Sequence, residues 1–274
     1  MLAKRYCYTL EMNIDIEQLK NIVITTSKEE LLPRFNSVKR NYKRDGSVVT
    51  EADLEMQARL IAHLEERYPD IALLGEEMSV EQQQALLASD TPLWCLDPVD
   101  GTSNFAAGVP YFCVSLALIE NGMITLGLIY DPIREEFFSA QRGQGAYLNN
   151  ERLSSQDTGL QLKDAIALVD FKRLNPELAT KLVTHRPYSS QRSLGSIALE
   201  LCWIAAGRGH IYLHGKQQLW DYAAAQLILS EAGGLTLTLE GEKLGSDSLK
   251  PISTAAALDE SLFNEWATYL NIPR

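Results

Sequence analysis

Trp94-Cys95-Leu96-Asp97-Pro98-Val99-Asp100-Gly101-Thr102-Ser103-Asn104-Phe105 is the stretch on which the reading of this chain turns. The apolar run from Leu93 to Leu96, bounded by turn-forming residues, predicts a short buried strand. Asp97 stands at its end, and Pro98 is expected to stop it, because the ring fixes φ and removes a backbone donor. Gly101 lets the backbone approach a ligand closely. Thr102, Ser103 and Asn104 follow with hydroxyls, an amide and backbone N–H groups. Two carboxylates three residues apart beside such a turn suit a hard cation that carries a phosphate. Taken alone, Asp-Gly is ordinarily a turn and Asp97 a cap. The meaning of the stretch therefore depends on which other groups the fold brings to it.

Three stretches outside the motif offer such groups. Residues from Asp15 to Phe35 read as a helix (Ile16, Leu19, Ile22, Val23) that ends at Pro33. After a polar, basic segment from Asn36 to Val49, Thr50 opens a second helix whose expected core stripe is Leu54, Ala58, Ile61 and Leu64. Asp53 stands three residues after Thr50, where it completes a capping arrangement. Ile71 to Leu74 predicts a strand that runs into Gly75-Glu76-Glu77. Far downstream, Asp221 lies beside Trp220 at the start of a helix that ends at Gly233-Gly234, where it favours the helix dipole. Each acid has a plain structural explanation. Asp53, Glu76, Asp97, Asp100 and Asp221 together, all at strand ends or helix starts, point to a cleft that holds metal ions on carboxylates.

Between these points the pattern alternates with period two from Tyr111 to Leu153, which predicts an antiparallel meander with a turn at Asn121-Gly122. Strands are expected at Ala165 to Val169, His210 to Leu213 and Leu235 to Leu239. Helices are expected at Pro176 to His185, Ser193 to Ala206 and Asp259 to Leu270. The shift near residue 155 suggests a subdivision of one 274-residue domain into an N-terminal half with most acids and a C-terminal half of alternating strands and helices. The net charge of −11 argues against nucleic acid as the main partner. Hydrophobic residues at 46% and charged residues at 22% are those of an ordinary globular protein. Cys7, Cys95, Cys113 and Cys202 form no Cys-x-x-Cys pair, and no run reaches the length of a membrane span. With no apolar segment after Lys4 and Arg5, a cytoplasmic, reduced protein is the expectation. His210 and His214 have a zinc-like spacing only on a helix, and here they flank a strand.

The residues resemble the inositol monophosphatase family. The likeness rests on Gly75-Glu76-Glu77, on Trp94 to Phe105, on Leu219-Trp220-Asp221-Tyr222-Ala223-Ala224 and on Glu231-Ala232-Gly233-Gly234, in order, from about residue 40 onward. The resemblance implies an α+β fold, a layered αβαβα sandwich. It also implies a homodimer that hydrolyses small phosphate monoesters with two to three Mg²⁺ ions and is inhibited by lithium. It would give Glu76, Asp97 and the Val99 carbonyl to a first ion, Asp97, Asp100 and Asp221 to a second, and a third ion near Glu76. Asp53 with Thr102, and Glu76 through its ion, would prepare the attacking water. Asp100, Gly101, Thr102 and Ser103 would meet the phosphate, while Gly195, Ser196 and His214 would meet the alcohol.

The alcohol is where the likeness thins. Members specific for inositol carry a glutamate where His214 stands, and an imidazole lacks that pair of acceptors. The segment Lys43 to Asp53 resembles the form seen in histidinol-phosphate phosphatases and in phosphatases of 3′(2′),5′-bisphosphate nucleotides. The expectation is a small phosphorylated metabolite as substrate, inositol 1-phosphate or a similar polyol or sugar phosphate, with those two classes as alternatives. A non-catalytic binding module is the other class of reading, and the complete acid set argues against it.

Overall fold

A computed structural model describes residues 14–43, 48–89, 91–155 and 157–273. Asp15 caps α1 (Ile16–Glu30), and Pro33 sits in a single 3-10 turn (Leu32–Arg34) just after it. A two-rung hairpin of β1 (Asn41–Tyr42) and β2 (Val48–Val49) leads into α2 (Glu51–Arg67). Residues 44–47 of the basic segment, like Cys7, lie outside the described residues. Next come β3 (Ala72–Gly75), α3 (Val80–Leu87), β4 (Leu93–Asp100), α4 (Thr102–Ala107), β5 (Cys113–Glu120) and β6 (Met123–Asp131). Then follow β7 (Glu136–Gln141), β8 (Gly145–Leu148), β9 (Glu151–Leu153), β10 (Ile166–Asp170), α5 (Pro176–Thr184) and β11 (Ser190–Arg192). The chain closes with α6 (Ile197–Ala205), β12 (Ile211–Gln217), α7 (Leu219–Glu231), β13 (Leu235–Leu237), β14 (Ile252–Ala257) and α8 (Glu260–Leu270).

Two sheets result. The seven-stranded sheet runs β3-β4-β5-β6-β7-β8-β9, parallel only between β3 and β4. The five-stranded sheet runs β11-β10-β12-β14-β13, with β10 parallel to both neighbours. Side-chain alternation along each strand sorts the core into layers. On β4, Trp94 and Leu96 pack with Leu19 and Val23 of α1 and Met56 and Leu60 of α2. The alternate residues Leu93 and Cys95 face α6 and α7, which on their other side meet Leu168, Tyr212 and Ala256 of the smaller sheet. Its outer face, with Ala167, Val169 and Leu213, is covered by Trp266 and Leu262 of α8 and Leu182 of α5. Helices, sheet, helices, sheet and helices are thus stacked in turn, the α+β sandwich that the resemblance implies. Among the described residues no helix is long and apolar enough to cross a membrane.

Three local expectations change. Pro98 does not end β4. The pairing goes from Asp97 opposite Ser115 to Asp100 opposite Cys113, three steps on β4 against two on β5, so the proline sits in a β-bulge. The buried face of α2 is Ala52, Asp53, Met56, Leu60 and Leu64, while Leu54 is 52% exposed. The cap explains the rotation: Asp53 is turned inward, so the positions three and four residues on from it follow it into the core. Finally β11 and β14 carry too little alternation of their own to be read from sequence. Ile252-Ser253-Thr254-Ala255-Ala256-Ala257 shows no period-two alternation, because both faces of β14 are covered.

Candidate active site

The site lies where the C-terminal ends of β3 and β4 meet the first turns of α2 and α7. Asp53 is fully buried and held twice. Its Oδ2 accepts the Thr50 N–H at 2.8 Å and the Thr50 hydroxyl at 2.6 Å, which completes the cap of α2. Its Oδ1 lies 3.0 Å from the Thr102 Oγ1, and the same hydroxyl lies 3.0 Å from the Val99 carbonyl. A hydroxyl has one proton, and both of these neighbours accept. Thr102 therefore satisfies both only when Asp53 carries a proton of its own. Burial pushes the Asp53 carboxyl up to about 6, against the hydrogen bonds from Thr50 and Thr102 and with added repulsion from Glu76.

The bulge in β4 sets Asp97 and Asp100 side by side, and each is anchored through one oxygen. Asp97 Oδ1 accepts the Val99 N–H at 3.0 Å. Asp100 Oδ2 accepts the Ser196 hydroxyl and the Ala198 N–H, both at 2.6 Å. Asp221 Oδ2 accepts the Gln218 N–H at 2.8 Å and so caps α7. Asp97 and Asp221 each keep their second oxygen clear of these anchoring bonds. Burial, with repulsion from Glu76, Asp100, Asp221 and Asp53, raises Asp97 well above the usual carboxylate range. Burial together with Asp100 and Glu76 does the same to Asp221, and burial pushes Asp100 up to about 6.

Glu76 follows the end of β3 and is drawn toward Lys43, whose Nζ lies 2.7 Å from Glu76 Oε1 and 2.7 Å from Glu77 Oε1. The acids act on one another electrostatically, but no group of three or more His, Cys, Asp or Glu side chains forms a closed metal cage among the described residues. The donor chemistry nonetheless fits a hard cation. The donors are oxygens on desolvated, mutually repelling carboxylates, and added positive charge relieves that repulsion. The Val99 carbonyl retains a lone pair beside the one that faces Thr102. Cys113 lies 3.8 Å from Asp100, but burial raises its thiol well above the usual range and leaves it protonated.

Gly101, at φ +97°, caps α4, and its hypothetical Cβ would stand 3.3 Å from the Gly195 carbonyl oxygen. Gly195 (φ +85°) is in turn packed on Asn104, whose Nδ2 donates to Leu194 O at 2.7 Å and Tyr111 O at 2.8 Å. The amides of Thr102 and Ser103 thus begin α4 beside the bulge, in the turn where helical amides lack partners. Two residues expected to meet the alcohol have other work. Ser196 is buried and uses its hydroxyl to fix Asp100. His214 is 3% exposed, with Nδ1 accepting the Lys216 N–H at 3.3 Å and Nε2 facing Asp170 Oδ2 at 3.2 Å. With both ring nitrogens engaged and the ring buried, it presents no free pair of acceptors.

Three participants were not legible beforehand. Lys43 lies in a polar run with nothing to single it out. Asp170 ends a strand, and its carboxyl is lowered by His214 against the opposing effect of burial. Glu200 sits in the apolar helix α6, where an isolated acid is itself a signal. Its Oε1 accepts the Leu194 N–H at 2.6 Å and the Gly195 N–H at 3.0 Å, and burial pushes the carboxyl up to about 7.

The model of the Inositol monophosphatase family matches residues 11–270. The chain is 32% identical over 262 residues to inositol monophosphatase 1 of Solanum lycopersicum, covering 91% of this chain and 94% of that one. It is 34% identical over 213 residues to Nus factor SuhB of Pasteurella multocida, covering 76% and 78%. Among solved structures, the Thermotoga maritima IMPase superposes with a TM-score of 0.77 at 26% identity, covering 93% of this chain and 100% of that one.

Proposed function

The chain belongs to the inositol monophosphatase family, and we propose that it is a magnesium-dependent phosphomonoesterase acting on inositol 1-phosphate or a similar polyol or sugar phosphate. The family makes it a phosphoric monoester hydrolase. The observation that carries the reading further is the Asp53–Thr102 contact, a buried carboxyl sharing a hydroxyl proton beside a set of anchored acids. Glu76, Asp97, Asp100, Asp221 and the Val99 carbonyl would hold two to three Mg²⁺ ions. When bound, these acidify a water and stabilise the leaving oxygen of an in-line displacement.

The protein groups have separable tasks. Asp53 takes the proton that Thr102 passes on from the attacking water, and burial keeps the carboxyl basic enough for it. Gly101, Thr102 and Ser103 receive the phosphate on backbone amides at a turn that only glycine enters without strain. Ser196 and the Ala198 N–H fix the direction of Asp100 beside Asp97. Glu200 holds the Leu194-Gly195 turn against α4.

The retained acids support catalysis over a purely binding role, although the SuhB relative bears the name of a Nus factor. Histidinol phosphate and 3′(2′),5′-bisphosphate nucleotides remain the alternative substrates, because His214 is withdrawn from the cleft. Assembly as a homodimer, residence in the cytoplasm and inhibition by lithium complete the proposal. The test is phosphate release from a panel of inositol, sugar, histidinol and nucleotide phosphates at millimolar Mg²⁺. Release from at least one supports the reading, and silence across the panel favours a binding module.

A further inference from the structure

The turn Gly75-Glu76-Glu77 is gripped through its backbone by two buried carboxamides that the chemistry itself does not use. Gln57 sits one helical turn after Asp53 on α2, and Gln83 sits in α3. Gln83 is the one fully buried residue of α3, whose apolar Val80 is exposed and whose Leu86 and Leu87 are only partly covered. A short helix that turns a glutamine inward, where a leucine would bury more apolar surface, gives it a polar task. Gln83 Nε2 donates to the Gly75 carbonyl at 2.9 Å and to the Glu76 carbonyl at 3.3 Å. Gln57 Oε1 accepts the Glu77 N–H at 3.1 Å. The Glu76 N–H is taken by the Leu96 carbonyl of β4, also at 3.1 Å.

The two grips use opposite ends of the same kind of group, Gln83 as donor and Gln57 as acceptor. Both are neutral. The turn is therefore held without a further charge among Glu76, Glu77, Asp53 and Asp97, which already repel one another. Gly75 belongs to the same device, because a Cβ there would stand 2.2 Å from Gln57 Oε1 and push the carboxamide off the Glu77 N–H. Neither glutamine touches the Glu76 carboxylate, whose partner is Lys43.

We propose that Gln57 and Gln83 are positioning residues that aim the Glu76 carboxylate at the metal ion it would share with Asp97. The inference rests on the phosphatase reading above and names groups on which its metal affinity depends. A ligand on a slack turn must lose conformational freedom when the ion binds, whereas a turn held from both sides has lost it on folding. Hydrogen bonds that orient a metal ligand from behind carry about 10- to 100-fold in affinity.

Titration calorimetry with Mg²⁺ alone tests this, without substrate and at pH 8.5 so that an introduced glutamate is ionised. Gln83→Met and Gln83→Glu both remove the donor and are expected to weaken Mg²⁺ binding by about tenfold or more. Gln57→Leu should weaken it similarly, whereas the conservative Gln57→Glu keeps the acceptor and most of the affinity. Exchange of glutamine for glutamate is thus tolerated at 57 and harmful at 83, which added charge alone does not explain. Gly75→Ala should behave as Gln57→Leu does, since the methyl displaces the carboxamide. Gly75→Ala and Gln57→Glu leave the grip of α3 intact, so that pair decides even where Gln83→Met does not fold. Phosphate release by Gln83→Met should approach the wild-type rate at saturating Mg²⁺, a change in the KM for the metal more than in kcat. A lower Tm in chelator with unchanged Mg²⁺ affinity of the folded variants marks a purely structural role and overturns the proposal. Equal tolerance of glutamate at both positions overturns it too, and a wild-type protein that binds no Mg²⁺ overturns it together with the phosphatase reading. A wild type that binds Mg²⁺ and releases no phosphate counts against the phosphatase reading alone, because the calorimetric comparison needs no turnover.

Discussion

Thr102 Oγ1 stands 3.0 Å from Asp53 Oδ1, although the two residues are 49 positions apart in the chain. The contact joins the first turn of α4 to the cap of α2, so a single carboxyl both closes a helix and faces the reacting site. Its two oxygens divide the labour: Oδ2 serves Thr50 and Oδ1 serves Thr102.

Asp53→Asn and Thr102→Ala are each expected to lower kcat by about 10²- to 10⁴-fold with little change in KM, since both remove proton transfer and leave binding in place. The double variant should be scarcely worse than either alone, because the two groups act as one unit. Steady-state kinetics of the three variants check this. Additive losses would sink the relay.

Asp97→Asn is expected to raise the thermal stability of the protein in excess chelator while weakening its affinity for Mg²⁺. The aspartate is buried among like charges, and the amide removes that repulsion at the cost of a ligand. Scanning calorimetry and Mg²⁺ titration provide the two readouts. A variant less stable than wild type in chelator contradicts the electrostatic picture.

The chelated protein should lose stability as pH rises from about 5 to 7.5. Asp53 and Asp100 sit near 6, Glu200 near 7, and Asp97 and Asp221 well above their ordinary values. Between the unfolded carboxylate range near about 4 and these values, the folded chain binds more protons than the unfolded one, so the slope of stability with pH is negative. A fall in Tm of about 5 °C or more across that window is expected, and saturating Mg²⁺ should abolish or reverse it. Asp170 acts in the opposite sense, because its lowered carboxyl contributes stability that is lost only as pH falls below about 4. A Tm that rises with pH in chelator contradicts the assignment.

Gly215→Ala should destabilise the protein by about 2 kcal/mol or more, because the added methyl meets the Arg173 backbone, which has no flexible end to give way. Thermal denaturation against Gly122→Ala separates this steric effect from ordinary glycine strain. Gly122 has positive φ but nothing within 4 Å of its added Cβ. A milder loss at Gly215 than at Gly122 would show that the turn is not clamped there.

Much of this was legible in the chain because the acids double as structural signals. Thr50 with Asp53 spells a helix start, and Gly75-Glu76 spells a strand end. Asp221 spells another helix start, so local rules placed each acid at the rim of an element before any contact was known. The bulge at Pro98 was hidden because a proline ordinarily ends a strand, and only the pairing with β5 reveals that it bends this one. The withdrawal of His214 was hidden for a different reason. Its burial depends on Asp170, which is 44 residues away in sequence and adjacent only once β10 and β12 pair. Lys43 was illegible for the same reason, since its partners Glu76 and Glu77 are supplied by another element.

Whether the anchored carboxylates form a magnesium-dependent phosphatase site is decided by the initial rate of phosphate release from the best substrate of the panel. Mg²⁺ is titrated from zero to millimolar, for wild type and Asp97→Asn side by side. The expected result is a saturable rise from a negligible rate in chelator for the wild type, and no detectable release from Asp97→Asn at any concentration. A wild-type rate that is indifferent to Mg²⁺, or an Asp97→Asn protein that hydrolyses as fast, would contradict it.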